Sequence, residues 1–133
     1  SSVEILKAKS KNNVEIDGEK VKIEVKIIMD GAIGEETGKI DLKDPAALEK
    51  VEKANSEIIK EEIENVIKKA QEKYKLDIFE FGQIVHRKYP GEWKEIQDDW
   101  NEVFSRAEIN VEVETNIIRT GKVNVPIRKK EGK

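Results

Sequence analysis

The chain of 133 residues carries 25 Lys and Arg against 28 Asp and Glu, a net charge of −3, and no cysteine. The mixed charge leaves no basic face for a nucleic-acid backbone, and the missing thiols exclude disulfides, thiolate metal sites and cysteine nucleophiles. One histidine, His86, excludes His-rich zinc sites, and the length fits a single domain over residues 1–133 with one core.

The start, Ser1-Ser2-Val3-Glu4, is not a signal peptide, and no stretch approaches the roughly 20 apolar residues of a membrane span. The chain opens directly in a strand-like alternation. We therefore expect a segment excised from a longer protein, with any targeting signal upstream.

The first third reads as β-structure. Val3 and Ile5 begin a strand that fades into the turn-rich Lys9-Ser10-Lys11-Asn12-Asn13. Val14-Glu15-Ile16 is a short strand, and Asp17-Gly18 supplies the positive φ of a tight hairpin turn. Val21, Ile23, Val25 and Ile27 then alternate with Lys22, Glu24 and Lys26. That period of two predicts one buried and one wet face, as in an antiparallel sheet. The run is expected to end in a loop or bulge at Asp30-Gly31-Ala32-Ile33-Gly34. This stretch lacks the Lys-Ser/Thr of a phosphate-binding loop, so a bulged strand end is the better reading.

Asp44 is a good helix N-cap, and Pro45 suits the first helical position. Nothing breaks a helix from there to about Tyr74. Leu48, Val51, Ala54, Ile58, Ile59, Ile63, Val66, Ile67, Ala70 and Tyr74 mark an apolar stripe. At 1.5 Å per residue this helix reaches about 45 Å, longer than the core requires, so that it bends or lies partly against something else. Asp77 opens a second helix, with Glu80 three residues on in capping-box spacing, and Ile78, Phe81, Val85 and Tyr89 on one face. Pro90 starts a third, striped by Trp93, Ile96, Trp100, Val103 and Phe104. Gly82 permits close approach of a neighbour, and both tryptophans read as core anchors.

The last third returns to alternation at Ile109, Val111, Val113, Thr115 and Ile117; Thr120-Gly121 turns the chain, and residues 123–127 form a final edge strand ending near Pro126. Strands, three helices, then strands predict an α+β fold: a mainly antiparallel sheet of four to five strands, with one long and two shorter helices on one face.

Catalytic readings are weak. Asp98-Asp99 sit about 100° apart on a helix and do not converge, so a solvated face is the better account. His86 is the one side chain of a type that ordinarily changes charge near neutrality, but beside Arg87 and Tyr89, with no nucleophile, it reads as a structural hydrogen-bonder. The serines lie in no Gly-x-Ser-x-Gly context.

What resists a purely structural account is a combination: Asp77-Ile78-Phe79-Glu80-Phe81-Gly82, then His86-Arg87-Lys88-Tyr89-Pro90, then Trp93 and Trp100. This block strongly resembles the carboxy-terminal domain of the Ger(x)C family of spore germination proteins. Gly34-Glu35, Thr37-Gly38 and Asp41-Leu42-Lys43-Asp44-Pro45 resemble the family's lead-in to the long helix, and Arg119-Thr120-Gly121 its late strand turn. The chain departs from the pattern near Glu36, where the family often has an aromatic, and around Lys122, where it is more hydrophobic.

The resemblance implies a lipid-anchored C subunit of a germinant receptor in the spore inner membrane, acting with an integral-membrane A subunit and a transporter-like B subunit. The anchor would lie on an amino-terminal part absent from this chain, whose isolated domain is expected to be monomeric. No catalytic residue, cofactor or metal follows. The expected role is protein–protein interaction in receptor assembly and nutrient-induced germination, with Phe79, His86, Arg87, Glu92 and Arg119 as candidate contacts. Germinant binding is the alternative, and a weak hydrolase ranks last.

Overall fold

A computed structural model describes residues 3–33 and 43–118. The expected turn at Thr120-Gly121, the strand over 123–127, Arg119 and most of the loop before the long helix lie outside the described residues. The order is β1 (Val3–Asp17), β2 (Lys20–Ile33), α1 (Pro45–Lys68), a π turn (Lys69–Tyr74), α2 (Phe81–Lys88), α3 (Pro90–Ile96), a 3-10 turn (Gln97–Asp99), α4 (Trp100–Arg106) and β3 (Glu108–Ile117). The α+β class holds. The strand count does not: the described residues form three strands in the order β1-β2-β3.

Two expected strands are one, because β1 runs unbroken through Lys9–Asn13. That polar stretch has no Gly or Pro to stop it, and pairing with the long β2 overrides its turn propensity. Gly18, with φ 65°, begins the two-residue turn into β2. Nor does β2 end in a loop at Asp30; it continues to Ile33. Gly31 serves a close approach instead, since a Cβ there would lie 2.7 Å from Val3 Cγ1 and 3.3 Å from the Glu4 carbonyl. The sheet is mixed rather than mainly antiparallel. Glu24 lies beside Asn110 early in β2 and β3, and Gly31, late in β2, accepts from Ile118 just past the end of β3, so these strands run in the same direction.

Residues cluster into two compact units, 3–10, 26–33, 43–60 and 113–118 in one, 11–25 and 61–112 in the other. In the first, Ile33, Leu48 and Ile117 form a small core that Val3 and Val51 border. Asp44 caps α1 as expected, its Oδ1 accepting from the Ala46 N–H at 3.0 Å. The inward face of α1 is less apolar than its sequence stripe: Glu52 and Asn55 are buried, whereas Ala54 and Ile58 are exposed. Burial of polar groups requires partners. Glu52 accepts from the Ile117 N–H at 2.9 Å, and Asn55 and Ser56 both donate to Thr115 Oγ1, at 3.0 and 2.8 Å.

In the second unit, Val21, Ile23 and Val25 are buried while Lys20, Lys22 and Glu24 face water, the expected period of two. Val14, Val85 and Phe104 are wholly enclosed, and Phe81, Trp100 and Val111 nearly so. The long helix ends in the π turn, closed by Lys75 in the left-handed region (φ 50°, ψ 50°). The Gln71 side chain of this turn donates to the Phe104 and Ala107 carbonyls at 2.9 and 2.8 Å, capping the end of α4.

The second helix begins at Phe81, not at Asp77, and Glu80 sits in the left-handed region (φ 64°) without closing a capping box. Ile78 is 54% exposed, off the buried face expected for it. The third expected helix exists but is broken by the 3-10 turn at 97–99, between α3 and α4.

Candidate functional site

The block that stood out in the sequence folds around one carboxylate. Asp77 lies in the segment joining the π turn to α2, and its Oδ2 accepts from the Gly82 N–H at 2.8 Å and from Trp100 Nε1 at 2.7 Å. Its own N–H donates to Asn101 Oδ1 at 3.1 Å. Asp77 thus satisfies an N–H in the first turn of α2 from outside the helix, which leaves Glu80 free to turn the chain. Its other oxygen, Oδ1, is enclosed and has no hydrogen-bond partner among the described residues.

Gly82 is the floor. A Cβ there would come within 2.8 Å of Trp100 Nε1 and 3.0 Å of Trp93 Cη2, so both indoles rest on its backbone. The rings meet edge to face at 5.6 Å and 61°. Trp100 is buried and continues through Phe104 to Phe81, whereas Trp93 is half-buried. His86, exposed on α2, stacks on Trp93 at 5.7 Å and 23°. Pro90 starts α3 immediately after Tyr89, and this short link brings Trp93 back beside His86.

These groups line an open hollow of about 360 Å³, with Leu76, Glu80, Gln83 and Asn101 at its rim. Its walls are aromatic, its charges are the Asp77 and Glu80 carboxylates, and no Lys or Arg is among its lining residues. A larger hollow, about 620 Å³, opens between the β1–β2 turn and α4, but it sets Glu15, Asp17, Glu19 and Glu108 against Lys20, Lys22 and Arg106 and holds no ring. Among the described residues no three His, Cys, Asp or Glu side chains come together as a metal site requires.

The expected contact residues fare differently. His86 lines the hollow and stacks on Trp93, and among the described residues its side chain makes no hydrogen bond. Phe79 is half-buried and stacks on Phe81 at 5.3 Å, which packing explains. Arg87 and Glu92 are exposed, but neither lines the hollow. Arg119 lies outside the described residues. Sequence reasoning missed Asp77, Glu80, Gln83 and Asn101 as members of the site, because Asp77 reads as an ordinary N-cap. Trp100 is the core anchor expected, whereas Trp93 is only half-buried and forms the wall of the hollow instead.

The chain is similar to known proteins in sequence and in fold. The family model described as "Spore germination B3/ GerAC like, C-terminal" matches residues 1–121. Spore germination protein KC of Bacillus subtilis (strain 168) is 37% identical over 107 residues, 80% of this chain and 26% of that protein. Spore germination protein YndF of the same organism is 28% identical over 120 residues, 90% of this chain and 30% of that protein. The chain therefore spans under a third of the length of the curated relatives it matches. A crystal structure of the GerBC protein shares the fold at a TM-score of 0.78 and 22% identity, over 87% of this chain and 36% of that one.

Proposed function

The chain belongs to the spore germination B3/GerAC-like carboxy-terminal family, and from that premise we propose that it is a non-catalytic interaction domain of a germinant receptor C subunit. The observation that carries this is the hollow at Gly82. Its inner members build the fold: Asp77 Oδ2 takes two donors, and Trp100 is buried. Among the described residues the side chains of the outer members, His86, Glu80 and Gln83, make no hydrogen bond or ion pair, and Trp93 beside them is partly exposed. Aromatic groups with a polar rim are the usual composition of a recognition centre.

In this reading the domain contacts the integral-membrane A subunit or the transporter-like B subunit, and a lipid anchor elsewhere in the protein holds it at the spore inner membrane. No helix among the described residues is long and apolar enough to cross a membrane. Replacing Glu80, Gln83 and His86 together by alanine in the full-length protein is expected to slow nutrient-induced germination while all receptor subunits stay abundant. Normal germination and normal receptor assembly would sink the proposal.

A second reading, germinant binding, has one observation in its favour. The volume of the hollow falls within the roughly 300–1,000 Å³ typical of small-molecule sites. Calorimetry with nutrient germinants that carry no ammonium group separates the two, since the interaction reading expects no heat.

A further inference from the structure

The chemistry of the hollow selects its occupant more narrowly than the proposed function does. We propose that it takes an ammonium group, presented as the lysine side chain of a partner protein; this rests on reading the hollow as an interaction site.

Three observations converge. The wall is aromatic: Trp93 is partly exposed, and the exposed His86 ring stacks on it at 5.7 Å. An indole face attracts a cation through its quadrupole, and ammonium recognition is the best known use of such walls. Both charged lining groups of fixed sign are acidic, Asp77 and Glu80, and no Lys or Arg lines the hollow, although 25 of the 133 residues are Lys or Arg. On a surface so rich in cations, a hollow lined by carboxylates alone is held open to a positive group. Finally, the Asp77 carboxylate has no counter-ion. Oδ2 receives two neutral N–H donors, Oδ1 is enclosed without a partner, and the two ion pairs among the described residues, Lys22–Glu24 and Arg106–Glu102, involve neither acid of this site. Neutral dipoles stabilise a carboxylate but do not cancel its charge, so its field reaches into the hollow. Leu76 at the rim offers an apolar surface for the methylene stem of a lysine, which packs while its head group is paired.

The probes are butylammonium chloride, Nα-acetyl-lysine methylamide, 1-butanol and sodium chloride, titrated into the isotopically labelled chain. The reporters are the two indole N–H resonances and the Gly82 amide. Both ammonium compounds are expected to shift these signals saturably, 1-butanol and sodium chloride to leave them near their starting positions. Glu80→Gln, a change at an exposed side chain, should weaken ammonium binding about tenfold. Asp77→Asn retains one oxygen for both N–H donors and should weaken it at least as much; if that variant fails to fold, Glu80→Gln and Trp93→Leu carry the test.

Equal shifts with 1-butanol, or none with either ammonium, overturn the assignment. If butylammonium binds about tenfold tighter than the lysine derivative, the occupant is a free amine and the partner-lysine half of the proposal is wrong. If ammonium fails while the alanine variants above still block germination, the interaction reading stands and only its chemistry falls.

Discussion

Gly82 shows how a single missing methyl fixes the geometry of the site. Alanine is the better helix former by about 1 kcal/mol, so an exposed glycine in α2 would gain from the change. Here the added Cβ meets Trp100 Nε1 at 2.8 Å and Trp93 Cη2 at 3.0 Å, and neither is the free end of a flexible chain. Overpacking of this kind costs about 1–3 kcal/mol, so the clash outweighs the propensity gain. We expect Gly82→Ala to lower unfolding free energy by about 1–2 kcal/mol, read by urea denaturation at unchanged m-value. Trp100→Phe retains a ring in the buried slot but removes the donor to Asp77 Oδ2. It should cost about 1–3 kcal/mol, the range for leaving a buried acceptor short of a partner. Stability unchanged in that variant would mean that the Asp77 bond does not organise the site.

At the scale of elements, the features of interest are places where the chain reverses without glycine. Lys75 ends the π turn at φ 50°, and Glu80 precedes α2 at φ 64°. A left-handed L-residue costs about 1–2 kcal/mol, while glycine adds about 0.5–1 kcal/mol of chain entropy to be lost on folding. Lys75→Gly should therefore stabilise by about 0.5–1 kcal/mol, visible as a raised thermal midpoint. A drop in stability would place the strain elsewhere. The strand pair at Gly31 makes the opposite case: with Val3 Cγ1 and the Glu4 carbonyl in the way, Gly31→Ala should destabilise by about 1–3 kcal/mol.

Elements whose cause is local were legible in the sequence. The Asp44 cap, the Pro45 start, the Gly18 turn and the alternation of Val21, Ile23 and Val25 each depend on residues within one turn or strand. Elements whose cause is distant were not. Residues 9–13 show no period of two, so nothing local announces that β1 continues; its partner β2 does. Periodicity reports which face is buried but not the direction of the neighbouring strand, which hid the parallel β2–β3 pairing. The inward face of α1 carries Glu52 and Asn55 because β3 supplies Ile117 N–H and Thr115 as partners, a match that no helical stripe reveals. The same holds for Asp77, whose bonds reach 5 residues on to Gly82 and 23 residues on to Trp100.

For the molecule as a whole, four elements supply residues to both compact units: β1, β2, α1 and β3. Neither unit can unfold without breaking ladders and a helix in mid-length, so a single cooperative transition is expected, with coincident curves from far-ultraviolet circular dichroism and tryptophan fluorescence. The tryptophans lie in one unit only, so separated midpoints would show the units melting independently. Within that framework the family resemblance has a physical content. The block over residues 77–100 is conspicuous because most of it builds one pedestal, Asp77 to Gly82 to Trp100. The outer groups, His86, Glu80 and Gln83, are exposed and lie outside that pedestal.

The most direct test reverses the charge at the rim. Glu80 is exposed and already left-handed, a conformation that Lys75 adopts in the same chain, so Glu80→Lys should fold as well as the parent and place a cation of its own at the hollow. With the full-length protein present at its normal level in spores, nutrient-induced germination should slow by about tenfold or more. Germination at the parental rate would contradict the claim that this hollow is where the domain meets its partner.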